Sequence, residues 1–171
     1  MILKELTRED CEHARAWRNG SLETLRTPYP LTEEMQSDFY DTIVCNRASC
    51  HRYYGAHDLN NVLVGIGGIT NIQWENSIGE ISLILDQDKR GNGLGAKAVD
   101  LLLDKAFNQI GLRTVFGECY CCNIDGVKFW TKVKDKYKGL SVMLPSRKFW
   151  NGSYYSSLYF SIDAKDFQSC T

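Results

Sequence analysis

Little in this sequence is suited to stiffening a hinge, crossing a bilayer or gripping a polyanion. Three prolines in 171 residues cannot build a proline-rich linker. No apolar run approaches the roughly 20 residues needed to span a membrane. The opening Met1-Ile2-Leu3-Lys4-Glu5 has no basic stretch followed by an apolar one, so it does not read as a secretory signal. Twenty basic and 21 acidic residues leave a net charge of −1, without the general electrostatic footprint of a nucleic-acid binder. Seven cysteines, an odd number with no export signal, read as free thiols. The expectation is a cytoplasmic protein with no membrane partner.

What is present is ordinary for a folded chain: 43% hydrophobic and 24% charged residues. That length buries a core without metal or disulfides and suits one domain over residues 1–171. Charge is uneven. Residues 1–42 carry nine acids against five bases, whereas residues 126–150 carry seven bases against Asp135.

Periodicity and turn chemistry give the element order. Met1–Leu6 reads as a strand, and Thr7 with Asp10 as a capping box opening a helix to about Trp17. Pro28 and Pro30 impose an irregular loop, and Thr32 caps a second helix carrying Met35, Phe39, Ile43 and Val44 on one face. Strands His51–Ala56 and Val62–Ile72 flank the turn Asp58–Asn61, and Ile78–Leu85 is a further strand. A helix runs from the glycines at 91–95 to about Ile110 and stops at Gly111. Strand Arg113–Cys121, helix Asp125–Val133 and strands Leu140–Leu144 and Tyr154–Ile162 follow, the last two around Asn151-Gly152. This mixed order implies an α/β (α+β) fold, a mixed and mostly antiparallel sheet of about six to seven strands flanked by helices.

The sharpest motif is Arg90-Gly91-Asn92-Gly93-Leu94-Gly95-Ala96, between a strand and a helix. Glycines let backbone N–H groups converge without Cβ interference, and a helix start adds free N–H groups and the positive end of its dipole. Together they form a pyrophosphate cradle. A P-loop would need Lys-Ser/Thr after the last glycine, but Ala96-Lys97-Ala98 stands there. Gly91, Gly93 and Ala96 do satisfy the dinucleotide pattern, with Glu118 downstream, but the parallel strands of that fold do not follow.

The fit that remains is R-x-x-G-x-G, in Arg90, Gly93 and Gly95, and it resembles the acetyl-CoA motif of the GNAT N-acetyltransferases. Glu80 in the preceding strand, Asn123 opening N-x-x-small-x-x-aromatic, and the element order extend the resemblance over most of residues 1–162. Trp17-Arg18-Asn19 looks like the branch of ribosomal-protein N-terminal and amino-sugar acetyltransferases. The resemblance implies that Leu83, Ile84 and Leu85 line the pantetheine arm, that Arg90 through Ala96 hold the pyrophosphate, and that Asn123 meets the cofactor arm or thioester. The basic side chains of 126–138 either approach the 3′-phosphate or form a solvated helix face.

Amine attack on a thioester needs a neutral nucleophile, and a lysine-like amine near pKa 10.4 is protonated at neutral pH. Glu80, among Ile78, Ile81 and Leu83, is the candidate base, with Glu118 on the expected neighbouring strand as competitor. The family's usual acid, a tyrosine seven residues after the Asn, is replaced by Trp130. Tyr120, Ser82 or water are the substitutes. Cys119, Cys121 and Cys122 lack a second ligand pair, so no metal is expected. The implied reaction is acetyl transfer from acetyl-CoA to a primary amine of a small molecule, peptide N-terminus, amino sugar or modified nucleotide. The alternatives are a catalytically silent CoA-binding module and a nicotinamide enzyme. The acid-rich first 42 residues favour a cationic acceptor. The basic 126–150 segment with Phe149, Trp150, Tyr154 and Tyr155 leaves a nucleotide or nucleic-acid acceptor as the lesser option.

Overall fold

A computed structural model describes residues 1–170 as a seven-stranded sheet with helices on both faces. The strands are β1 (Ile2–Glu5), β2 (Arg52–His57), β3 (Leu63–Gln73), β4 (Ile78–Leu85), β5 (Thr114–Tyr120), β6 (Leu140–Trp150) and β7 (Ser153–Asp163), in spatial order β1-β2-β3-β4-β5-β7-β6. All neighbours are antiparallel except β4 and β5.

The helices are α1 (Arg8–Asn19), α2 (Glu33–Phe39), α3 (Leu94–Asp104), α4 (Ile124–Lys136) and α5 (Ala164–Gln168). Thr7 and Asp10 form the expected capping box, and Thr32 accepts the Met35 N–H at the start of α2. One side of the sheet packs Val99, Leu102 and Leu103 of α3, Val133 and Tyr137 of α4 and Phe167 of α5 against Ile69, Ile81, Val115 and Phe160. The other packs Cys11 and Ala14 of α1 against Ile66, with Phe39, Tyr40 and Val44.

Three features depart from the sequence reading. Both α2 and α3 loosen into wider π-type turns, at Tyr40–Val44 and Lys105–Ile110. The sixth strand does not stop at Leu144. It continues to Trp150 through a register shift spanning residues 145–147, which an edge strand tolerates because Pro145 there breaks no central ladder. Helix α5 carries only a five-residue pattern, too short to stand out from sequence.

The sheet splits where the site lies. Strands β4 and β5 pair only at Ile78–Thr114, Gly79–Val115 and Glu80–Phe116. Beyond Glu80, β4 stays with β3 and β5 stays with β7, so a wedge opens between them.

Candidate active site

A cavity of about 880 Å³ fills this wedge and passes through the sheet. On one side it is walled by β4 from Ile81 to Leu85, by Arg90, Gly91, Gly93, Gly95 and Ala96, and by Asn123, Phe129 and Trp130. On the other it reaches Arg18, the segment Thr24–Thr27, His51, Tyr53, Asn71 and Glu80.

The glycine turn is built as its chemistry requires. Gly91 and Gly93 take φ of +84° and +74°, conformations that L side chains rarely adopt, and a Cβ at either would point into open space. Gly93 is the N-cap of α3, which has no side-chain cap and no acid in its first turn. The first N–H groups of a helix have no intrahelical acceptor. They are therefore available to an anion and face no competing carboxylate. Arg90 stands at the base of the turn, its Nη2 3.5 Å from the Leu85 carbonyl. Asn92 and Leu94 do not line the cavity wall: Asn92 is exposed at the tip, and Leu94 packs against Ala56, Val64 and Ala98.

Asn123 has a second task. As N-cap of α4 its Oδ1 accepts the Gly126 N–H at 2.9 Å, so the amide is held at the cavity wall by its own helix. Gly126 is small because Asn123 folds over it; a Cβ there would lie 2.3 Å from Nδ2. Trp130 stacks on Phe160 at 5.0 Å and joins the core, which accounts for an indole at that position. Lys128 and Lys132 of α4 line the cavity, whereas Lys136 is paired with Asp100.

Glu80 lies at the apex of the wedge, but not in the apolar setting expected. Strand alternation sends Ile81 and Leu83 to the opposite face. Arg26 Nη2 donates to Glu80 Oε1 at 2.8 Å and Asn71 Nδ2 to Oε2 at 2.7 Å. Asn71 reaches it from an irregularity in the β3–β4 register, with φ of +49°. Its backbone N–H also meets His51 Nδ1 at 3.2 Å. Burial pushes the His51 imidazole below its ordinary value, against the pull of Glu80.

Glu118 is close to Glu80 but differently held. It accepts from Ser157 Oγ at 2.7 Å and Arg147 Nε at 3.0 Å, and Arg26 stands 3.6 Å away. Burial raises its carboxyl pKa, but the Ser157 and Arg147 hydrogen bonds and the charges of Arg147 and Arg26 outweigh that and hold it below its usual range. Glu118 is thus engaged by Ser157, Arg147 and Arg26, and Glu80 by Arg26 and Asn71.

Residues 1–42 do not bring their acids here. Their contribution to the cavity wall includes two charged side chains, Arg18 and Arg26, and no carboxylate. Glu12, Glu33 and Asp41 pair instead with Arg15 and Arg8. Part of the basic 126–150 segment is engaged internally. Arg147 holds Glu118, and buried Lys148 donates to the carbonyls of Leu22 and Leu25 while lying 5.2 Å from the Tyr120 ring centroid. Lys148 thereby pins the segment that delivers Arg26. Sequence reasoning missed Arg26, Asn71 and His51 because each gains its role only from distant pairing. Among the described residues no group of His, Cys, Asp or Glu is placed to hold a metal, and no helix is long and apolar enough to cross a membrane.

A sheet of this order, split between two central parallel strands above a glycine turn at a helix start, is the architecture of acyl-CoA-dependent acyltransferases. The chain belongs to the GNAT acetyltransferase family: the model of the acetyltransferase (GNAT) domain matches residues 1–133. No curated protein matches the sequence. Among solved structures, the chain is similar to a spermidine N-acetyltransferase from Vibrio cholerae in complex with CoA and spermine, with a TM-score of 0.86 and 17% identity over 98% of this chain and 97% of that one. A chimera of that enzyme with hSSAT gives 0.84 at 18% identity, over 98% and 97% of the two chains. At these identities the likeness is one of fold.

Proposed function

We propose that this chain, as one domain over residues 1–171, transfers an acetyl group from acetyl-CoA to a primary amine of a small molecule. The observation that carries the reading is the through-sheet cavity, with the uncapped glycine turn at one end and Glu80 at the other. The family membership and the CoA complex of the structural neighbour support the donor.

Backbone N–H groups of the Arg90–Ala96 turn would hold the pyrophosphate, with Gly91, Asn92, Gly93, Leu94 and Gly95 contributing main chain. The free edge of Leu83, Ile84 and Leu85 would take the pantetheine arm, with Asn123 opposite. The thioester supplies an activated acyl group. A β4 N–H at the split polarises its carbonyl oxygen. Glu80 accepts the amine proton, directly or through one water, and Arg26 and Asn71 keep its carboxylate aimed into the wedge. Tyr120 is a hydroxyl able to protonate the departing thiolate. It lines the same cavity, and a neutral phenol can donate its O–H.

Seven free cysteines support a reducing, cytoplasmic setting. The Trp17-Arg18-Asn19 segment does not favour ribosomal-protein or amino-sugar acceptors over others: Asn19 brackets Leu31 through its N–H and carbonyl, and Arg18 walls the cavity. The test is acetyl-CoA thiol release with a panel of amines, alongside thermal shift with CoA and with NAD. CoA at 100 times its dissociation constant should add about 2.7 kcal/mol of stability. Stabilisation by CoA without turnover of any amine supports the silent module instead, and no response to CoA rejects both.

A further inference from the structure

On the acceptor side of this cavity, Arg18 is a charged group for which the transfer chemistry has no use. It projects from the last turn of α1, half-buried, into the cavity wall. Its Nε is buried without a hydrogen-bond partner, and no ion pair among the described residues includes it. Burial holds its pKa below the ordinary guanidinium value, and only Tyr53 opposes that. Arginine nonetheless keeps its proton in proteins, so the charge persists. A charge partly withdrawn from water without a partner costs stability.

The acids that line the cavity are engaged elsewhere, Asp125 beside Lys128 of its own helix. Glu80 is engaged by Arg26 and Asn71, and Glu118 by Ser157 and Arg147. The surplus charge facing an acceptor is therefore positive. Sheet register also sets a length. Tyr53, Gly68 and Ser82 share one row across β2, β3 and β4, and Thr70 and Glu80 share the next row on that face. Rows two residues apart are separated by about 7 Å. Arg18 and Tyr53 line the cavity together, Tyr53 in the first row, and Glu80 marks the amine end in the second.

We propose that the acceptor carries an anionic group, a carboxylate or phosphate, a few bonds from its amine, and that Arg18 is the residue that binds that group. The proposal rests on the acetyl-transfer reading and names the substrate class of the same site.

The test measures acetyl-CoA thiol release by the full chain with matched amines. These are β-alanine against β-alaninamide, O-phosphoethanolamine against ethanolamine, and spermidine as the cationic arm. In at least one pair the anionic member should have the higher kcat/KM by about 10- to 100-fold, the range for a hydrogen-bonded charge partner. The pair that responds identifies carboxylate or phosphate. In Arg18→Gln the ratio within that pair should fall towards one, mainly through KM, and Arg18→Lys should retain part of it. Arg18→Met, which removes the unpaired charge, should fold with a higher Tm than the parent. Equal kcat/KM within both pairs, spermidine as the best acceptor, or a ratio that survives Arg18→Gln would overturn the proposal. If CoA binds but no amine turns over, the transfer reading fails by itself. The anion claim is then decided by calorimetry of the CoA complex with β-alanine and O-phosphoethanolamine: heat lost in Arg18→Gln sustains it, and equal or absent heat in both proteins overturns it.

Discussion

Glu80→Gln separates chemistry from architecture because the site can accommodate the amide with little rearrangement. Glu80 accepts one hydrogen bond on each oxygen, from Arg26 at 2.8 Å and Asn71 at 2.7 Å. A glutamine can keep its carbonyl towards Arg26, which can only donate, and turn its NH2 towards Asn71, whose amide can flip to present oxygen. Only the charge pairing with Arg26 is then lost. Arg26 is 61% exposed, so solvent screens the pair and the cost to stability stays below about 1 kcal/mol. Removing a general base lowers kcat by about 10²–10⁴, or about 3–5 kcal/mol in barrier. The activity loss should therefore exceed the stability loss several-fold. The assay is thiol release under saturating acetyl-CoA from pH 6 to 10, with Tm and CoA affinity measured in parallel. In the variant, activity should rise only towards the free amine's own pKa, near 10.4 for a lysine-like acceptor, because only already neutral amine reacts. Near-parental turnover with an unchanged pH profile would remove Glu80 from the mechanism.

Gly93→Asp should weaken CoA by more than tenfold while Gly93→Ala costs stability only, about 1 kcal/mol for a Cβ at φ +74°; equal CoA affinities in the two variants would refute the phosphate cradle. Glu118→Gln should lower Tm at neutral pH. Because the folded carboxyl is held below its unfolded value near 4.5, that contribution is full above pH 4.5 and is lost as pH falls through the folded pKa. The Tm gap between parent and variant should thus close on acidification, and a gap independent of pH would contradict the ion-pair account. Gly126→Ala places a Cβ against the Asn123 amide and should release the α4 cap, lowering stability by about 1 kcal/mol and raising the KM for acetyl-CoA; an unchanged Tm would show that the cap is dispensable.

Local physics made much of this protein legible. The Thr7–Asp10 capping box, the Thr32 cap and the strand–glycine–helix passage at 85–96 are short-range events, and the structure places them as the residues imply. The mixed, mostly antiparallel sheet and the adjacency of the Glu80 and Glu118 strands were also legible, although the parallel sense of that pair was not. Other features were settled by long-range pairing. The wedge exists because β4 and β5 part company after Glu80, each retained by its other neighbour. Arg26, 54 residues from Glu80 in sequence, reaches it because Lys148 fastens the Leu22–Leu25 carbonyls. Charge counting over residues 1–42 suggested an acidic acceptor side, but a count carries no direction. Those acids pair with arginines, face solvent or, at Asp10, cap α1, and the charged side chains of this segment that line the cavity are Arg18 and Arg26. Sequence determines which groups are available and which turns are cheap; only the packed sheet decides which charges meet, and that decides what the cavity can hold.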